Sequence, residues 1–590
     1  MTLITYLSRS LYELLFDIET DSLNPTTIWC IAAYDVDNQV MHSFKPDSID
    51  QGIELLQKAD KLIGHNIIGF DIPVIKNLTG VDLWDKKLTD TLVLSRLFNP
   101  TREGSHSLES WGYRLGHNKI EFEDFENYSE EMLTYCENDV MLNFRVYNHL
   151  KKESKGFSRQ SVDLEHEVLK IICEQREHGF LFDERKASLL VAELEENLNE
   201  VIKEVRKVFK PKVETYTLRA IYNNNGKLSK FASCRELGKR FRLTDDEYKE
   251  IEKPQKIQRC IQTEFNLGSR KQIGEYLQDF GWKPKKFTPT GQPIVDEGTL
   301  TNIKNIPQAQ LIARFLMLQK RIAQIKSWLK ELKDDRIHGF VNPNGTITGR
   351  MTHSNPNTGQ LPSTRVEYGT QCRSCWTVPK GYKLVGIDAS SLELRMLAHY
   401  MNDEEYTNEV INGDVHSANQ RLAGLESRDK AKTFIYALCY GARDRKLSTI
   451  LGKNTRDTKR IREQFLDNLP SFKTLKDRVA RAATKKFLKG LDGRRLIVRS
   501  EHSALNTLLQ GAGSIVMKQA LVLFRSYIKD LDAKIVANVH DEWQVEVRED
   551  QAEEVGKRGI QAIIDAGSLL NLNCPLNGEY NVGNNWSETH

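Results

Sequence analysis

The chain has 590 residues, of which 39% are hydrophobic and 28% are charged, and its formal net charge is +3. This length allows about four domains of roughly 150 residues, each with a full apolar core. No apolar run approaches the ~20 residues of a membrane helix, so we expect no membrane partner. A nearly neutral balance does not predict a polyanion partner, and any nucleic-acid binding must come from local basic patches.

Nine cysteines are scattered singly along the chain. Only Cys372 and Cys375 approach the spacing of metal ligands, and no second pair accompanies them, so the pattern does not favour a zinc site. The N-terminal sequence shows no export signal. These features predict a reduced cytoplasmic protein with buried thiols.

Three acidic segments in the first 155 residues suggest a metal site. A short strand near the N-terminus places Asp17 and Glu19 on one face, a second apolar stretch ends at Asp71, and Tyr135 and Asp139 share a helical face. Two metal ions need several anionic oxygens, which these four acids would supply, while Tyr135 would orient the attacking water. Taken singly, such a pair of acids is more typical of a solvated strand edge.

The region after the first 155 residues is predicted to be mainly helical, with a basic segment in its middle. Apolar residues at helical spacing from Leu190 to Val208 predict a long amphipathic helix, and a second helix is expected around 308–332. Between them, residues 207–260 carry fourteen Lys or Arg against seven Asp or Glu. A helical hairpin with a basic tip would suit a duplex DNA backbone, and an ordinary solvated surface is the alternative.

Two carboxylates far apart in the sequence form the centre of the second predicted site. A buried strand ends at Asp388 and is followed by a helix that contains Glu393 in its first turn. Two further strand-like runs fold about a tight tip that presents Asp541 and Glu542. Two aspartates on adjacent strand ends are what a pair of magnesium ions needs for phosphoryl transfer.

Four residues at four-residue spacing, Arg428, Lys432, Tyr436 and Tyr440, form one stripe along a predicted helix. Two cations followed by two aromatic rings suit a nucleoside triphosphate, with phosphates at one end and base and sugar at the other. Alone, such a stripe is typical of a surface face. Together with the two aspartates it indicates a nucleotide site.

These motifs resemble those of known nucleic-acid enzymes. The three acidic segments resemble the DnaQ-like proofreading 3′–5′ exonucleases of RNase H-type fold. The segment from Thr348 to Pro362, the Asp388-x-Ser390-x-x-Glu393 motif and the helical stripe resemble family A DNA polymerases. Within that family, the similarity is closest to the replicative polymerases of T-seven-like bacteriophages (podoviruses).

The resemblance implies an α/β multidomain fold, with an RNase H-like (DnaQ-type) 3′–5′ exonuclease domain and a right-hand polymerase domain of palm, fingers and thumb. The expected boundaries are 1–155 for the exonuclease domain, 156–340 for the thumb with a short clamp-binding insertion at 207–263, 341–395 for the first part of the palm, 396–504 for the fingers and 505–590 for the second part of the palm.

The resemblance also implies DNA-templated replication of a bacteriophage genome by two-metal-ion nucleotidyl transfer, with proofreading. Each site would hold two Mg²⁺ ions, with Mn²⁺ as a substitute. In the polymerase site, Lys432 would protonate the leaving pyrophosphate and Glu393 would block a ribose 2′-hydroxyl. The expected polymerase metal ligands are Asp388, Asp541 and the carbonyl of Ala389; the exonuclease ligands are Asp17, Glu19, Asp71 and Asp139; the nucleotide-binding residues are Ala389, Glu393, His416, Arg428, Lys432, Tyr436 and Tyr440; and the DNA-binding residues are Arg350, Asn506, Gln510 and His540.

Primer-template DNA and dNTPs are the expected partners, and the expected location is the cytoplasm of the infected bacterial host. The resemblance leaves open host thioredoxin, for which the insertion is short, as well as a phage helicase–primase and a single-stranded DNA-binding protein. Three alternatives remain at this point: a bacterial repair polymerase, a nuclease with a vestigial polymerase half, and a non-catalytic DNA-binding subunit. The intact Asp388 and Asp541 and the complete helical stripe disfavour the last two.

Overall fold

The computed structural model describes residues 11–223 and 225–590. Contacts divide the chain into two compact units, one comprising the chain up to residue 184 together with residues 330–590, and the other comprising 185–329. The second unit is narrower than the predicted thumb (156–340), because the helix at 159–178 packs on elements of the first unit. The first ten residues of the predicted exonuclease domain lie outside the described residues.

The N-terminal region is built on a five-stranded mixed sheet covered by helices. Its elements are β1 (Glu13–Thr20), β2 (Ile28–Asp35), β3 (Val40–Phe44), α1 (Ile49–Lys58), β4 (Lys61–Gly64), α2 (Asp71–Thr79), β5 (Lys87–Asp90), α3 (Thr91–Phe98), α4 (Leu108–Leu115) and α5 (Glu130–Glu153), followed by α6 (Arg159–His178) and β6 (Phe180–Leu181). The strand order is β3-β2-β1-β4-β5, with β1 antiparallel to β2 and parallel to β4. Central β1 is rich in buried apolar residues because both of its faces are covered.

The second unit contains the two long helices that the apolar spacing predicted. Its elements are α7 (Glu184–Val208), β7 (Lys212–Tyr222), β8 (Leu228–Cys234), β9 (Lys239–Arg242), α8 (Asp245–Glu250), β10 (Lys256–Thr263), α9 (Arg270–Asp279), α10 (Glu297–Thr301) and α11 (Pro307–Lys330). Helices α7 and α11 confirm both predicted spans. The expectation of a helical hairpin with a basic tip is wrong, since an antiparallel sheet of order β10-β7-β8-β9 lies between them in the chain.

The sheet forms because its strands carry an apolar face with a period of two residues. Leu218, Ala220, Ala232 and Cys234 are buried against residues around α8. Position by position, the strand register places Arg219, Arg240, Arg242, Lys256 and the half-exposed Phe231 on the opposite face. Alternation of this kind buries one face of an antiparallel sheet, whereas a helix would scatter the same apolar residues around its axis.

The C-terminal part of the first unit combines a four-stranded antiparallel sheet with a helical region. Its elements are β11 (Leu332–Lys333), β12 (Arg336–Ile337), β13 (Phe340–Asn342), β14 (Thr352–Ser354), α12 (Gly369–Arg373), β15 (Tyr382–Ala389), α13 (Leu392–Met401), α14 (Glu404–Asn412), α15 (Val415–Ala423), α16 (Arg428–Cys439), α17 (Asp444–Leu451), α18 (Thr455–Asn468), α19 (Pro470–Ala483), β16 (Phe487–Lys489), β17 (Arg495–Ile497), α20 (Ala504–Tyr527), β18 (Ala533–Val539), β19 (Glu542–Arg548), α21 (Ala552–Leu569) and β20 (Gly578–Gly583). The strand order is β18-β19-β15-β20. Helix α21 packs on this sheet, and Phe524 of α20 stacks on Trp543 of β19.

The expectation that no apolar run approaches the length of a membrane helix is wrong for one stretch of the described chain, Glu501–Tyr527, which is long and apolar enough by length and composition to cross a membrane. However, 72% of its most apolar window is buried within the protein. Helix α20, which makes up most of this stretch, packs against α6, α13 and α21. This is the environment of a core helix, in which apolar residues are needed on all sides.

Candidate active sites

The first site lies where two strands of the four-stranded sheet end together. Strand β15 pairs with β19, so that Asp388 is opposite Glu542, and the Ala389 N–H donates a hydrogen bond to the Asp541 carbonyl (3.1 Å). Asp541 occupies a two-residue turn whose other residue, His540, has a positive φ of 59°. This tight turn brings the two predicted aspartates, distant in sequence, to neighbouring positions at one edge of the sheet.

The electrostatics of this edge favour a divalent cation. Asp388 is accessible to solvent, yet the surrounding protein displaces enough water to raise its pKa to about 7, with further contributions from the Asp541 and Glu542 carboxylates. Loss of water also raises the pKa of Asp541. Two neighbouring carboxylates that resist ionisation are hard oxygen donors. They would bind Mg²⁺ or Mn²⁺, and the cation would neutralise their charge.

Glu542 has a different environment from its neighbour Asp541. Its buried carboxylate accepts hydrogen bonds from Trp586 Nε1 (2.7 Å), Gln544 Nε2 (2.5 Å) and His590 Nδ1 (2.5 Å). Burial alone would raise the pKa of Glu542, but these bonds, led by that from His590, hold it below its ordinary value. The carboxylate therefore anchors the C-terminal residues to β19, and no sequence spacing connects position 542 with 586 or 590.

The predicted stripe lies on α16, whose start and end have clear local causes. Ser427 caps the helix by accepting a hydrogen bond from the Lys430 N–H. Gly441, which follows the stripe residue Tyr440, has a φ of 75°, and an added Cβ would lie 2.0 Å from the His502 carbonyl oxygen. Arg428, Lys432 and Tyr440 are exposed and Tyr436 is half-buried, so the helix presents these residues at an accessible surface.

Positive groups gather at the N-terminal end of this stripe. The His416 ring lies 6.1 Å from that of Tyr436, and its pKa is lowered by burial and then by the charges of Arg428 and Lys432. Arg428 Nε donates a hydrogen bond to Asp414 Oδ2 (2.7 Å). In the described residues, buried His416 Nδ1 has no hydrogen-bond partner. The cluster has the charge and donors that a triphosphate requires.

Glu393 links three of the predicted residues. One carboxylate oxygen accepts a hydrogen bond from Arg350 (3.0 Å), and the other accepts one from the Tyr440 hydroxyl (2.7 Å). The ring of Tyr440 lies 6.4 Å from that of Tyr436. Glu393 thus connects the start of α13, the segment around Arg350 and the C-terminal end of the stripe on α16.

The three remaining predicted DNA contacts lie on two elements. Asn506 and Gln510 are one turn apart and partly buried on α20. Asn506 Oδ1 is buried without a hydrogen-bond partner among the described residues. His540 is exposed at the tip of the β18–β19 turn. No direct contact among these three side chains is seen, and each offers hydrogen-bonding groups to a ligand.

The second site collects the acids of the N-terminal region. Asp17 and Glu19 project from β1, Asp71 begins α2 and accepts the Ile18 N–H (3.3 Å), and Asp139 lies on α5. The donor atoms of Asp17, Glu19 and Cys136 lie within 4.8 Å of one another. The structure therefore brings the predicted acids of β1 and α2 together, as the sequence spacing suggested.

Crowding and burial make these acids difficult to ionise. Burial raises the pKa of Glu19 to about 8, with a further contribution from Asp139, and that of Asp71 to about 7. The pKa of Asp17 is raised well above its ordinary value by burial, Asp71 and Glu19. Asp139 Oδ1 is buried without a hydrogen-bond partner among the described residues. Each of these features fits a site that holds divalent cations.

Cys136 lies near this cluster, although no sequence motif predicted it there. Its thiol donates to the Asp17 carbonyl (3.5 Å), and burial raises its pKa well above the ordinary value. A thiol that remains protonated is a poor ligand for a cation that prefers oxygen. The carboxylates are therefore the better candidate ligands.

Asp90 and Lys119 are functional candidates that sequence reasoning missed. Fully buried Asp90 accepts the N–H groups of Asn66 (2.9 Å) and Ile68 (3.2 Å) and caps α3, which fixes the chain leading to α2. Lys119 Nζ forms an ion pair with Asp139 Oδ2 (2.5 Å). Asp90 is the last residue of a short strand and directly precedes a helix, which is a sequence signal for a helix cap. No sequence spacing links Lys119 with the acids.

Asp17, Glu19 and Asp139 line a cleft of about 800 Å³. Its walls include the cations Arg96 and Arg102 in addition to Lys119, and also His106, which is neutral because burial lowers its pKa to about 4. Part of the wall is the segment that begins at Gly104, where Ser107 caps α4. The cleft is large enough to admit the end of a nucleic-acid strand, and its walls carry the positive charge that such a ligand needs.

Comparisons with known proteins agree with this architecture. Residues 234–588 match DNA polymerase family A. The DNA-directed DNA polymerase of Enterobacteria phage T3 is 32% identical, covering 98% of this chain and all of that protein, and the enzyme of Escherichia phage T7 is 31% identical over 97% and 99%. The POL domain of Pol1 from M. smegmatis, solved in complex with DNA primer-template and dNTP, has a TM-score of 0.78 at 20% identity and covers 98% of this chain and 96% of its own.

The structural likeness supports a mixed α/β polymerase fold. The match to the family extends over more than half of the chain, and the phage relatives are similar from end to end. The chain belongs to DNA polymerase family A and is related to the DNA-directed DNA polymerases of T7-like bacteriophages.

Proposed function

We propose that the protein is a replicative DNA-templated DNA polymerase of a bacteriophage, with a 3′–5′ proofreading exonuclease in its RNase H-like N-terminal region. The observation that carries the polymerase assignment is the meeting of Asp388, near the end of β15, with Asp541 in the β18–β19 turn, where the Ala389 N–H donates to the Asp541 carbonyl (3.1 Å). The exonuclease assignment is supported by Asp17, Glu19 and Asp139, which line one cleft, and by Asp71, which is bonded to the Ile18 N–H between the first two.

In the polymerase reaction, the primer 3′-hydroxyl loses its proton to solvent, its oxygen forms a bond to the α-phosphorus of a dNTP, and the bond from that phosphorus to the pyrophosphate oxygen breaks. Two Mg²⁺ or Mn²⁺ ions, when bound by Asp388, Asp541 and the Ala389 carbonyl, would supply positive charge for the attacking and leaving oxygens. Arg428, Lys432 and His416 would bind the triphosphate, and Lys432 would give a proton to pyrophosphate. These residues supply charge where the reaction develops it.

Other residues would fix the geometry of the base pair that the incoming nucleotide forms with the template. Tyr436 and Tyr440 would pack on the sugar and base, and Glu393 would exclude a 2′-hydroxyl. Arg350 and His540 would contact DNA near the primer end, and Asn506 and Gln510 would read minor-groove acceptors that every base pair shares, which checks pairing without reading sequence. Primer-template DNA and dNTPs are therefore the proposed partners.

In the proofreading reaction, water forms a bond to the phosphorus of the terminal phosphodiester and the bond to the preceding nucleotide's 3′-oxygen breaks. Asp17, Glu19, Asp71 and Asp139 would hold two divalent cations, which neutralise charge on the phosphate. Tyr135 would orient the water, which loses its proton to solvent. We place the whole enzyme in the cytoplasm of an infected bacterium.

A separation of the two activities tests both assignments. The Asp17→Ala, Glu19→Ala double variant should lose 3′–5′ hydrolysis of a single-stranded oligonucleotide and retain primer extension, while Asp388→Ala should do the reverse. Asp47→Ala, at an exposed carboxylate, serves as a control that should change neither. If the double variant still degraded DNA, the exonuclease assignment would be withdrawn without affecting the polymerase assignment.

A further inference from the structure

Lys119 reaches into the carboxylate cluster of the N-terminal cleft. It lies in the segment between α4 and α5, and its Nζ is 2.5 Å from Asp139 Oδ2 and 4.5 Å from the centre of the Tyr135 ring. Its side chain is only 28% exposed. The lysine therefore contacts both residues that the Tyr-x-x-x-Asp motif contributes to the site.

The segment that carries Lys119 is held in place by aromatic contacts. The rings of Phe122 and Phe125 lie 5.4 and 6.0 Å from that of Tyr135. The Trp29 indole N–H donates to the Phe125 carbonyl (3.0 Å). Packing of this kind repays part of the entropy that a long side chain loses when it is ordered, so the position of Lys119 is built into the fold.

The charge of Lys119 matters to the whole cluster. Burial alone would lower the pKa of its ammonium group, but the adjacent Asp139 carboxylate outweighs burial and raises that pKa. The same charge lowers the pKa of Asp17 and Glu19, partly offsetting the effects of burial and mutual repulsion. Of the other basic groups in the cleft wall, Arg102 pairs with Glu153, and Arg96 donates to Asn342, which also lines the cleft.

We propose that Lys119 is a positioning residue of the exonuclease reaction, which holds the Asp139 carboxylate and the Tyr135 ring in the arrangement that hydrolysis needs. This inference rests on the proposed proofreading function. Asp139 has one oxygen bound to Lys119 and the other free, so the lysine orients the carboxylate while leaving an oxygen for a ligand. A second role follows from its charge, which favours entry of a phosphate among four carboxylates.

Steady-state hydrolysis of a 3′-labelled single-stranded oligonucleotide tests the positioning role. For Lys119→Ala we expect kcat to fall about 100-fold, the scale seen when one preorganised polar group is removed from an active site, while KM changes much less. Lys119→Arg keeps the charge and should recover most of the loss. Lys45→Ala, which removes an exposed lysine paired with Glu130, is the matched control and should be silent, and primer extension should be unchanged in all three.

Binding of Mn²⁺, followed by electron paramagnetic resonance, gives a readout that does not need turnover. Asp388→Ala with Asp541→Ala removes the polymerase-site ligands, so that the N-terminal cluster is measured alone. Adding Lys119→Ala should change the Mn²⁺ affinity by less than about threefold, because the lost orientation of Asp139 is offset by removal of a competing positive charge from the ligands. A lysine that maintained the local fold would give a much larger loss of affinity, since its removal would disorder the whole carboxylate cluster.

The outcomes separate this inference from the function on which it rests. If the unmodified protein does not degrade the oligonucleotide, the proofreading assignment fails and the role of Lys119 fails with it. If the unmodified protein is active and Lys119→Ala is equally active, only the role of Lys119 is rejected. An alanine variant that has lost Mn²⁺ binding, or an arginine variant as slow as alanine, also overturns it.

Discussion

At the scale of single residues, Glu393 is held by two hydrogen bonds to other predicted site residues. Both carboxylate oxygens are engaged, one by Arg350 and the other by the Tyr440 hydroxyl. These bonds hold the side chain in one place beside the edge where Asp388 and Asp541 meet. A carboxylate fixed in this way can act as a steric and electrostatic barrier to an additional hydroxyl on the sugar of a nucleotide.

Removal of this barrier should relax sugar selectivity. For Glu393→Ala we expect the ratio of ribonucleotide to deoxyribonucleotide incorporation, measured as kcat/KM on a single primer-template, to rise about tenfold or more. Glu393→Gln preserves the size of the side chain and should stay closer to the unmodified protein. An alanine variant with unchanged selectivity would remove Glu393 from this role.

The acids of the N-terminal cluster should make stability depend on pH. The folded-state pKa of Glu19 is about 8 and that of Asp71 about 7, both above their ordinary values near 4. The folded protein therefore binds more protons than the unfolded chain across this window, and its stability should fall as pH rises from about 4 to about 8. Above that range the folded state must hold the mutually repelling anions.

Thermal unfolding in EDTA at about pH 6 and about pH 9 would measure this effect. We expect the midpoint to be a few degrees lower at the higher pH, and excess Mg²⁺ should restore it by binding the ionised acids. Glu19→Gln should have a smaller pH dependence than the unmodified protein. Identical pH dependence in the two proteins would show that these carboxylates do not govern the change.

At the scale of elements, the sequence was most informative where one periodicity dominates. Strand β1, helix α16 and helices α7 and α11 were predictable because their apolar or functional residues repeat with the period of one regular structure. The sheet β7–β10 was not predicted, since its short strands interrupt a strongly charged segment. There, the composition indicated a basic surface correctly but did not indicate the backbone that presents it.

The exposed face of this sheet makes a distinct prediction about DNA binding. Its outward positions include Arg219, Arg240, Arg242 and Lys256 together with the aromatic Phe231, and none of the described residues at outward positions of the four strands is acidic. The cations of this face suit the phosphates of a nucleic-acid backbone, and the accessible ring suits stacking with a base.

Charge reversal on this face should weaken the complex with primer-template DNA. For Arg219→Glu with Arg242→Glu, measured by fluorescence anisotropy, we expect a loss of affinity of about tenfold or more at low salt. The slope of log affinity against log salt concentration should also become shallower, by the amount that corresponds to about two lost phosphate contacts. Lys203→Glu with Lys304→Glu, at exposed positions elsewhere in the same unit, changes net charge equally. Equal losses in the two double variants would indicate a general charge effect and not a binding face.

At the scale of the whole molecule, the fold class and both sets of acids were predictable because they depend on local motifs that occur in a recognisable order. Contacts that join distant segments were not. Buried Glu165 on α6 accepts hydrogen bonds from Arg494, in the chain between β16 and β17, and from Lys518 on α20, while Asp492 binds the same arginine. Sequence spacing cannot reveal such a network, since its members come together only after the core has packed.

This network suggests how three distant segments are held together, and it leads to a stability prediction. Arg494→Met would leave the buried carboxylates of Glu165 and Asp492 with only Lys518 to offset their negative charge. The loss should lower the free energy of unfolding by about 3–5 kcal/mol. Arg525→Met is the matched control, because Arg525 joins α20 to Glu174 of the same helix α6 in an exposed ion pair and should cost about 0–1 kcal/mol. Urea unfolding would be followed by tryptophan fluorescence. Trp543 contributes to this signal, and its ring stacks on that of Phe524 of α20 with 5.0 Å between the ring centres, so the signal includes this part of the core. If the two variants were equally stable, the buried charges would not be what secures α6 and α20, and the apolar contacts between these helices would have to account for their attachment.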